Sequence, residues 1–364
     1  MESKKNFFNT TINFNNIEIG EGKPTFFIAE IGSNFDGDLQ RAKDLIYAAK
    51  EAGADVAKFQ HYSADTLVSN VGFKNLKINS SHQKKWRQSV FETYKKASLN
   101  PDWTSELFET CQKAKIIFMT SPYSIELVDY VEKYVSAFKI GSGDITWHEA
   151  IEHIAKKKKP IFLATGASSL SEVTSSVNII SKYTKNLVLM QCNTNYTNSS
   201  DNFNYLNLSN IKTFSLKFKG VITGLSDHTQ NDQVVLASVA LGAKVVERHF
   251  TDSTSRNGPD HLFSTDVVSW KKMVSKVREL EIMLGDGIKR IEDNEKQTII
   301  VQRRALYAKS NIKKGDKISR ENLIPLRPCP ILNSIPVNSI NDIIGKTAKK
   351  DITAGEFLTQ DFFI

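Results

Sequence analysis

Two histidines stand in closely similar surroundings and are the residues of this chain best suited to chemistry. His228 ends the apolar run of "VITGLSDHT", and His249 ends that of "KVVERHFT" twenty-one residues later, in a chain with only seven histidines. Acids and hydroxyl-bearing residues flank both. A single histidine at such a place is often structural, but two at matching places in consecutive units favour a shared metal ion. Water, carboxylate or substrate oxygen atoms would complete its coordination.

Six further apolar runs also finish in polar residues. They are "TFFIAEIG" from Thr25, "DVAKFQHY" from Asp55, "IIFMTSPY" from Ile116, "AFKIGSGD" from Ala137, "PIFLATGA" from Pro160 and "LVLMQCNTN" from Leu187. The polar residues at the ends of these runs, with Ser226 from the seventh run and Glu247 from the eighth, are Glu30, Lys58, Gln60, Thr120, Ser121, Ser142, Asp144, Thr165, Asn193, Asn195, Ser226 and Glu247.

Most of the eight runs are followed by a stretch with helical periodicity, so the chain alternates buried strands with helices. This order predicts an α/β fold, a (β/α)8 TIM barrel, whose active site lies where the strands end. The polar ends are therefore expected to converge on one pocket. The stretch 68–100 is too long for a simple connection and is expected to form a loop or short helix over the pocket mouth.

The chain is expected to hold two domains. The barrel with an N-terminal extension takes residues 1–285, a polar linker takes 286–300, and residues 301–364 form a compact, mostly β module. Turn signals at "KKGD" and "TAGE" between short alternating runs indicate this module. It is small for independent stability, so we expect it to dock on another surface.

Composition narrows the class of protein. Of 364 residues, 40% are hydrophobic and 24% are charged, which is typical of a globular protein. The absence of a long apolar run predicts no membrane span and, by default, a cytoplasmic location. Three dispersed cysteines predict reduced thiols. The net charge of +8 is compatible with nucleic acid, but the lysines are dispersed, so an anionic small substrate is the preferred interpretation and no nucleic-acid partner is expected.

Several motifs, taken together and in this order, resemble the sialic acid synthase family. They are "FIAEIGSNFDGDLQRAKDLIYAAKEAGADVAKFQ", "KIGSGD", "ATG", "GLSDHT", "ERHFT" and "GPDH". The resemblance runs from about Thr25 to Ile364. It implies a TIM-barrel enzyme that condenses phosphoenolpyruvate with an N-acylated hexosamine, such as N-acetylmannosamine, to give a sialic acid-type nonulosonate and phosphate. It also implies a C-terminal antifreeze-like domain.

The resemblance implies roles for individual residues. Lys58 and Lys139 hold the phosphate and carboxylate of phosphoenolpyruvate, and Glu30 lies near this substrate and the metal ion. His228 and His249 are the metal ligands, and the ion is expected to be Mn²⁺, with Mg²⁺, Co²⁺ or iron as alternatives. The metal polarises the sugar aldehyde for attack by the enol carbon. Water then adds at C2, and phosphate leaves by cleavage of the C–O bond.

The remaining residues are assigned to substrate binding, apart from Asp144, which is placed among the catalytic residues beside the sugar. The substrate-binding set is Gln60, Thr120, Ser121, Ser142, Thr165, Asn193, Asn195, Tyr196, Ser226, Asp260 and Arg327. The resemblance implies that Arg327, in "LIPLRPCP", reaches into the barrel of a second subunit and contacts the acyl group of the sugar. The working unit is therefore expected to be a domain-swapped homodimer.

Three departures from the usual family pattern leave the acceptor sugar open. Asp144 stands where most members have glutamate, Ala164 replaces a serine before Thr165, and the sixth run reads "QCNTNYT" instead of a form like "HCTxxYP". A synthase for legionaminate, pseudaminate or another ulosonate is therefore an alternative. A non-catalytic carbohydrate-binding barrel is a further alternative, which the intact lysines, histidines and Glu30 disfavour.

Overall fold

Eight parallel strands form a nearly closed barrel in the first of two units. The structure is a computed structural model that describes residues 7–76, 83, 86, 88–196, 199–330 and 334–364. Within these residues the barrel strands pair in the order β5-β4-β3-β10-β9-β8-β7-β6, and β5 also contacts β6. Their bounds are β3 (Phe26–Glu30), β4 (Val56–His61), β5 (Ile117–Pro122), β6 (Phe138–Ile140), β7 (Ile161–Ala164), β8 (Leu187–Cys192), β9 (Ile222–Asp227) and β10 (Val245–Thr251). Each of the eight predicted runs contains one strand, and the TIM-barrel prediction is confirmed.

Helices follow the strands and cover the barrel. They are α1 (Leu39–Glu51), α2 (Ala64–Leu67), α3 (Asn70–Asn75), α4 (Val90–Ala97), α5 (Thr104–Ala114), α6 (Ile125–Val131), α7 (His148–Lys156), α8 (Leu170–Ile180), α9 (Asn210–Lys217), α10 (Asp232–Ala240) and α11 (Val267–Leu284). A two-residue strand, β11 (Thr265–Asp266), pairs with β10 just before α11. None of the described helices has both the length and the apolar character required to cross a membrane.

Helix α1 shows how the local sequence positions the strands. Asp38 caps its amino end, because the Asp38 side chain accepts hydrogen bonds from the backbone N–H groups of Gln40 and Arg41. The buried face packs on the barrel through Ala42, Leu45, Ile46 and Ala49. Gly53 follows the helix with a φ of +92°, which an L side chain rarely adopts, so the chain can reverse there into β4.

An N-terminal hairpin closes the end of the barrel opposite the strand tips. It consists of β1 (Thr11–Phe14) and β2 (Ile17–Gly20), paired antiparallel. Ile12, Phe14 and Ile19 are buried in an apolar cluster with residues from the beginnings of the barrel strands, including Phe26 and Phe162. The sequence analysis treated this segment only as an extension. Its four-residue strands are too short to give a strong periodic pattern.

The second unit begins at Asp286 and has its own apolar core. It holds α12 (Lys296–Gln302) and an antiparallel pair of strands, β12 (Ala305–Ala308) and β13 (Leu323–Leu326). Leu306, Ile312 and Ile318 are among the buried residues of the core. The boundary expected between linker and module, at residues 300 and 301, falls inside α12, because "KQTIIVQ" continues as a helix through it.

Candidate active site

A cavity of about 440 Å³ lies at the carboxyl ends of the barrel strands. Twelve of the seventeen residues predicted for the site line it. They are Glu30, Lys58, Gln60, Ser121, Lys139, Ser142, Asp144, Tyr196, Ser226, His228, His249 and Asp260. Because these side chains come from strand ends that are distant in sequence, closure of the barrel brings them together.

Four buried charges form the floor of the cavity. Lys58 forms an ion pair with Glu30, and both side chains are 1% exposed. Lys139 Nζ donates to Glu247 Oε1 over 3.1 Å, and Lys58 Nζ lies 3.6 Å from the same oxygen atom. The second carboxylate oxygen of Glu247 is buried and has no hydrogen-bond partner among the described residues. Two cations thus meet two carboxylates with one acceptor position unused.

Burial and mutual contact shift the pKa values of Lys58 and Glu247. Burial lowers the pKa of Lys58 to about 7, although the nearby Glu247 carboxylate opposes this shift. Burial alone would raise the pKa of Glu247, but Lys139 and Lys58 hold it below its ordinary value. Glu247 is therefore ionised at neutral pH, whereas Lys58 is poised to gain or lose charge when an anion enters.

The two histidines lie side by side in the wall, with ring centroids 5.6 Å apart. His228 Nδ1 lies 3.0 Å from the backbone oxygen of Asn193, so Nδ1 carries the proton and Nε2 keeps its lone pair. His249 Nδ1 is buried without a hydrogen-bond partner among the described residues and lies 3.7 Å from Asp260 Oδ2. Burial, followed by the cations around it, lowers the pKa of His249 well below its ordinary value. His249 is thus a neutral imidazole with a free nitrogen atom.

The backbone after β3 orients two acids of the cavity. Gly32 N donates to Glu30 Oε1 over 2.8 Å, and Ser33 N donates to Asp260 Oδ2 over 3.1 Å. Gly32 has a φ of +53°, and a Cβ atom there would lie 2.8 Å from Asp260 Oδ2. Glycine is therefore required in "EIGS", because only it lets this turn approach Asp260 and His249 so closely.

Hydroxyl groups and one further acid complete the floor. Lys58 Nζ lies 3.4 Å from Ser121 Oγ, and Ser142 Oγ accepts a hydrogen bond from Gly166 N over 2.9 Å. A Cβ atom on Gly166 would meet Ser142 Oγ at 2.9 Å, which explains the glycine of "ATG". Burial raises the pKa of Asp144 to about 6. The buried Asp144 side chain is therefore more stable when it is protonated, or when a donor binds it, than as an unpaired carboxylate.

Five of the predicted residues do not line the cavity, four in the first unit and Arg327 in the second. The hydroxyl of Thr120 bonds to the His61 ring and to the backbone oxygen of Phe59, and that of Thr165 donates to the oxygen of Met190. Ser121 and Ala164 line the cavity instead, because side chains alternate along a strand.

Asn193 and Asn195 also do not line the cavity. Asn193 supports His228 through its backbone oxygen, and its side chain donates to the backbone oxygen of Tyr205. Asn195 is exposed after the end of β8. Arg327 lies in the second unit, where it is exposed directly after β13.

Several cavity residues received no predicted role. Glu247 is expected at the polar end of the eighth run, and it lies two positions before His249 in β10, a spacing that places both on the same face of the strand. Aromatic side chains also line the cavity, namely Tyr62, Phe73, Trp86, Tyr94, Tyr123 and Phe263. No motif marks these aromatics, but Tyr62 and Tyr123 directly follow β4 and β5 and share the position of the polar ends. Helices α3 and α4 occupy part of the stretch 68–100 expected over the mouth, of which residues 77–82, 84–85 and 87 lie outside the described residues.

The donor set fits a metal ion held by two imidazoles. Within the described ranges, no group of three or more His, Cys, Asp and Glu side chains is arranged to hold a metal ion. The Nδ1 of His249, which has no partner among the described residues, and the Nε2 of His228, which keeps its lone pair when Nδ1 donates, nevertheless offer two nitrogen ligands in one wall. Two imidazoles suit a divalent transition metal whose other ligands are oxygen atoms.

Comparisons with known proteins identify the relatives of this chain. The sequence model of the NeuB family matches residues 45–289, and that of the SAF domain matches residues 303–364. The chain is 34% identical to the N,N'-diacetyllegionaminic acid synthase of Campylobacter jejuni, over 93% of this chain and 100% of the relative. It is 35% identical to the pseudaminic acid synthase of the same organism, over 94% and 97%.

A solved structure shares the architecture of the barrel. It is the N-acetylneuraminic acid synthetase of Leptospira borgpetersenii in complex with citrate, which matches with a TM-score of 0.70 and 28% identity. The match covers 80% of this chain and 96% of that protein.

Proposed function

Because the chain belongs to the NeuB family, we propose that it condenses phosphoenolpyruvate with an N-acylated hexosamine to give a sialic acid-type nonulosonate and phosphate. Its relatives are synthases, and the chain is an enzyme of this class and not a non-catalytic binding barrel. One observation carries the proposal. The cavity places Lys58 and Lys139, both buried, in the same chamber as His228 and His249.

The lysines suit the donor substrate. Phosphoenolpyruvate carries close to three negative charges, and buried ammonium groups bind phosphate and carboxylate oxygen atoms strongly. Ser121, Ser142 and Ser226 add hydroxyl groups at the same floor. Binding in this chamber fixes the donor with its enol carbon toward the acceptor and excludes bulk water, so the reacting atoms are held in contact.

The histidines and acids suit the acceptor. A divalent cation, for which Mn²⁺ is proposed, would be held by His228 and His249 and would polarise the aldehyde of the sugar. Asp260 lies beside His249, and Glu30 is held by Gly32 N, so both can orient hydroxyl groups or the water that adds at C2. Asp144 lines the same cavity and can accept a hydrogen bond from the sugar.

A phosphate-release assay tests the proposal. Purified protein, treated with chelator and reloaded with Mn²⁺, is given phosphoenolpyruvate with and without an N-acylated hexosamine. We expect phosphate only when metal ion, donor and acceptor are all present, and an equal amount of a nonulosonate detected by mass spectrometry. Phosphate release without an acceptor, or none with any hexosamine, would contradict the proposal.

Replacing either histidine tests the metal site. We expect His228→Ala and His249→Ala each to lower kcat at least a hundredfold and to weaken Mn²⁺ binding, since each removes one of two nitrogen ligands. Calorimetry on metal-free protein measures the binding. His153→Ala is the control, because His153 pairs with Asp129 on the outer surface. Unchanged metal affinity in the double variant His228→Ala/His249→Ala would refute the assignment.

An apolar wall favours a deoxygenated acceptor as a second candidate. Leu67, Val68, Phe73 and Trp86 line the cavity beyond β4, on the side where the strands end. The aldehyde of the acceptor must face the histidines, so its C4 to C6 end can face this wall. A 2,4-diacetamido-2,4,6-trideoxyhexose would place a methyl and an acetyl group there, and burying such apolar surface is favourable. The names of the legionaminic and pseudaminic acid synthases among its relatives agree with this candidate.

A panel of acceptors separates the two candidates. N-acetylmannosamine, its 6-phosphate and the trideoxy sugars of manno and altro configuration are compared by kcat/KM for phosphate release. A preference for a trideoxy sugar that Phe73→Ser reduces would support the second candidate. A preference for N-acetylmannosamine that this variant leaves unchanged would support the first.

A further inference from the structure

A buried ion pair lies directly beside both histidines, on the face of the barrel wall away from the cavity. Asp227 and Arg248 are opposite each other in the register of β9 and β10, and Arg248 Nε donates to Asp227 Oδ2 over 2.7 Å. Both side chains are 1% exposed. Neither lines the cavity, whereas the residues that follow them, His228 and His249, do. Alternation along the strands puts the pair and the histidines on opposite faces.

Arg248 also binds the loop that carries His228. Arg248 Nη2 donates to Thr229 Oγ1 over 3.1 Å and to the backbone oxygen of Asn231 over 2.6 Å. The Thr229 N–H and hydroxyl donate in turn to the two carboxylate oxygen atoms of Asp227, each over 3.0 Å. His228 therefore lies between two residues that a closed, buried network fixes. The same network is anchored on the residue directly before His249.

A buried ion pair of this kind contributes little net stability to the folded protein. Removing two charges from water costs about as much as their attraction returns, so an apolar replacement of both partners is often neutral, whereas loss of one partner is strongly destabilising. Hydrogen bonds with fixed directions do, however, define geometry better than apolar contacts. A metal site made of two histidines needs such definition, because neighbours that orient the ligands commonly contribute ten- to a hundredfold in metal affinity.

We propose that Asp227 and Arg248 are positioning residues, which fix the relative placement of His228 and His249 for a shared divalent cation. The proposal rests on the metal site of the proposed function. It assigns to the charged residues of "SDHT" and "ERHF" a role distinct from that of the histidines beside them. Asp227 and Arg248 act through the backbone and touch neither the cation nor the substrate.

An apolar double variant separates positioning from stability. Asp227→Leu combined with Arg248→Met removes both charges and keeps similar volume. We expect it to fold, as judged by circular dichroism and urea unfolding, but to bind Co²⁺ or Mn²⁺ about 10- to 100-fold more weakly than the wild type. Calorimetry and the Co²⁺ absorption spectrum of metal-free protein report this loss without reference to turnover. At a saturating concentration of metal ion, the kcat of the double variant should lie closer to the wild-type value than its metal affinity does.

Two further variants keep the test decisive. Arg248→Lys retains the charge but cannot reach Asp227, Thr229 and Asn231 together, so we expect an intermediate loss of metal affinity even if the double variant fails to fold. Val239→Ala in α10 truncates a buried side chain of the same wall. We expect it to lower stability and leave metal affinity unchanged, which separates positioning from general loosening.

The outcomes distinguish this proposal from the proposed function. Wild-type metal affinity in a folded double variant, or in Arg248→Lys, would overturn the positioning role while leaving the metal site intact. A wild-type protein that binds neither Mn²⁺ nor Co²⁺ would overturn the metal site and the positioning role together.

Discussion

At the scale of single residues, the floor of the cavity is a balanced set of charges. Glu247 contacts both lysines, and Glu30 pairs with Lys58. Phosphoenolpyruvate, the proposed donor substrate, would therefore compete with Glu247 for the ammonium groups. The carboxylates offset part of the free-energy cost of burying the lysine charges. The ion pairs thus hold the two lysine side chains in place in the cavity, where an anion could bind them.

Lys139→Ala tests the role of this floor. The change leaves Glu247 buried without its 3.1 Å partner and removes one of the two amino groups proposed to bind phosphoenolpyruvate. We expect an effect of about 2–5 kcal/mol on phosphoenolpyruvate binding, seen as a large rise in its KM or as loss of turnover. Lys157→Ala is a suitable control, since Lys157 pairs with Asp129 and Glu132 away from the cavity. Wild-type kinetics in Lys139→Ala would count against the assignment.

Asp144 should give the acceptor a pH dependence. Its pKa of about 6, raised by burial, means that the carboxylate is mostly protonated below that pH and mostly ionised above it. Only the ionised form accepts hydrogen bonds at both oxygen atoms. The KM of the acceptor should therefore fall as the pH rises from about 5 to 7, and it should be nearly constant over this window in Asp144→Asn.

Steady-state kinetics at saturating phosphoenolpyruvate measure this dependence. The KM of phosphoenolpyruvate in Asp144→Asn serves as the internal control and should follow that of the wild type. An acceptor KM with the same pH profile in both proteins would show that Asp144 does not bind the sugar.

At the scale of elements, the sequence could predict the barrel because each strand is an apolar run with a polar end. It could not assign every polar end to the cavity. Thr120 and Ser121 are adjacent in β5, and only the register decides which of them lines the cavity. The sequence placed Glu247 at a polar strand end, but its contacts with both lysines follow only from the closed barrel.

The N-terminal hairpin is the element that the sequence least revealed, and its contribution can be measured. Phe14 is 5% exposed and makes edge-to-face contacts with Phe26 and Phe162 at the end of the barrel away from the cavity. We expect Phe14→Ala to lower the free energy of unfolding by about 3–5 kcal/mol, because it leaves a cavity in a closely packed cluster.

The substrate KM values should not change in Phe14→Ala, because the hairpin contributes no residue to the cavity. Urea unfolding and steady-state kinetics at low temperature measure the two effects. Phe7→Ala is the matched control, since Phe7 is 51% exposed. A loss of stability no greater than in the control would show that the hairpin does not support the barrel.

At the scale of the whole molecule, the chain consists of two units with separate apolar cores. The first contains every described residue of the cavity, whereas Arg327 belongs to the second. An exposed arginine at the end of a strand has no evident use within a small β module. We therefore propose that Arg327 completes the acceptor site of a partner subunit, as the family resemblance implies.

Subunit mixing decides whether Arg327 serves a partner barrel. One chain carries Lys139→Ala, which disables its own cavity but keeps its arginine, and the other carries Arg327→Ala, which keeps an intact cavity. Each variant alone should be nearly inactive. After exchange of subunits, a mixed dimer holds one complete site of two, so about half of wild-type activity should return per mixed dimer, or about a quarter for a randomly exchanged 1:1 mixture. A fluorescent label on one chain confirms exchange of subunits.

Complete exchange without recovered activity would show that Arg327 acts on its own barrel or on none. Only an arginine that reaches the partner's barrel can combine the two intact parts in one site.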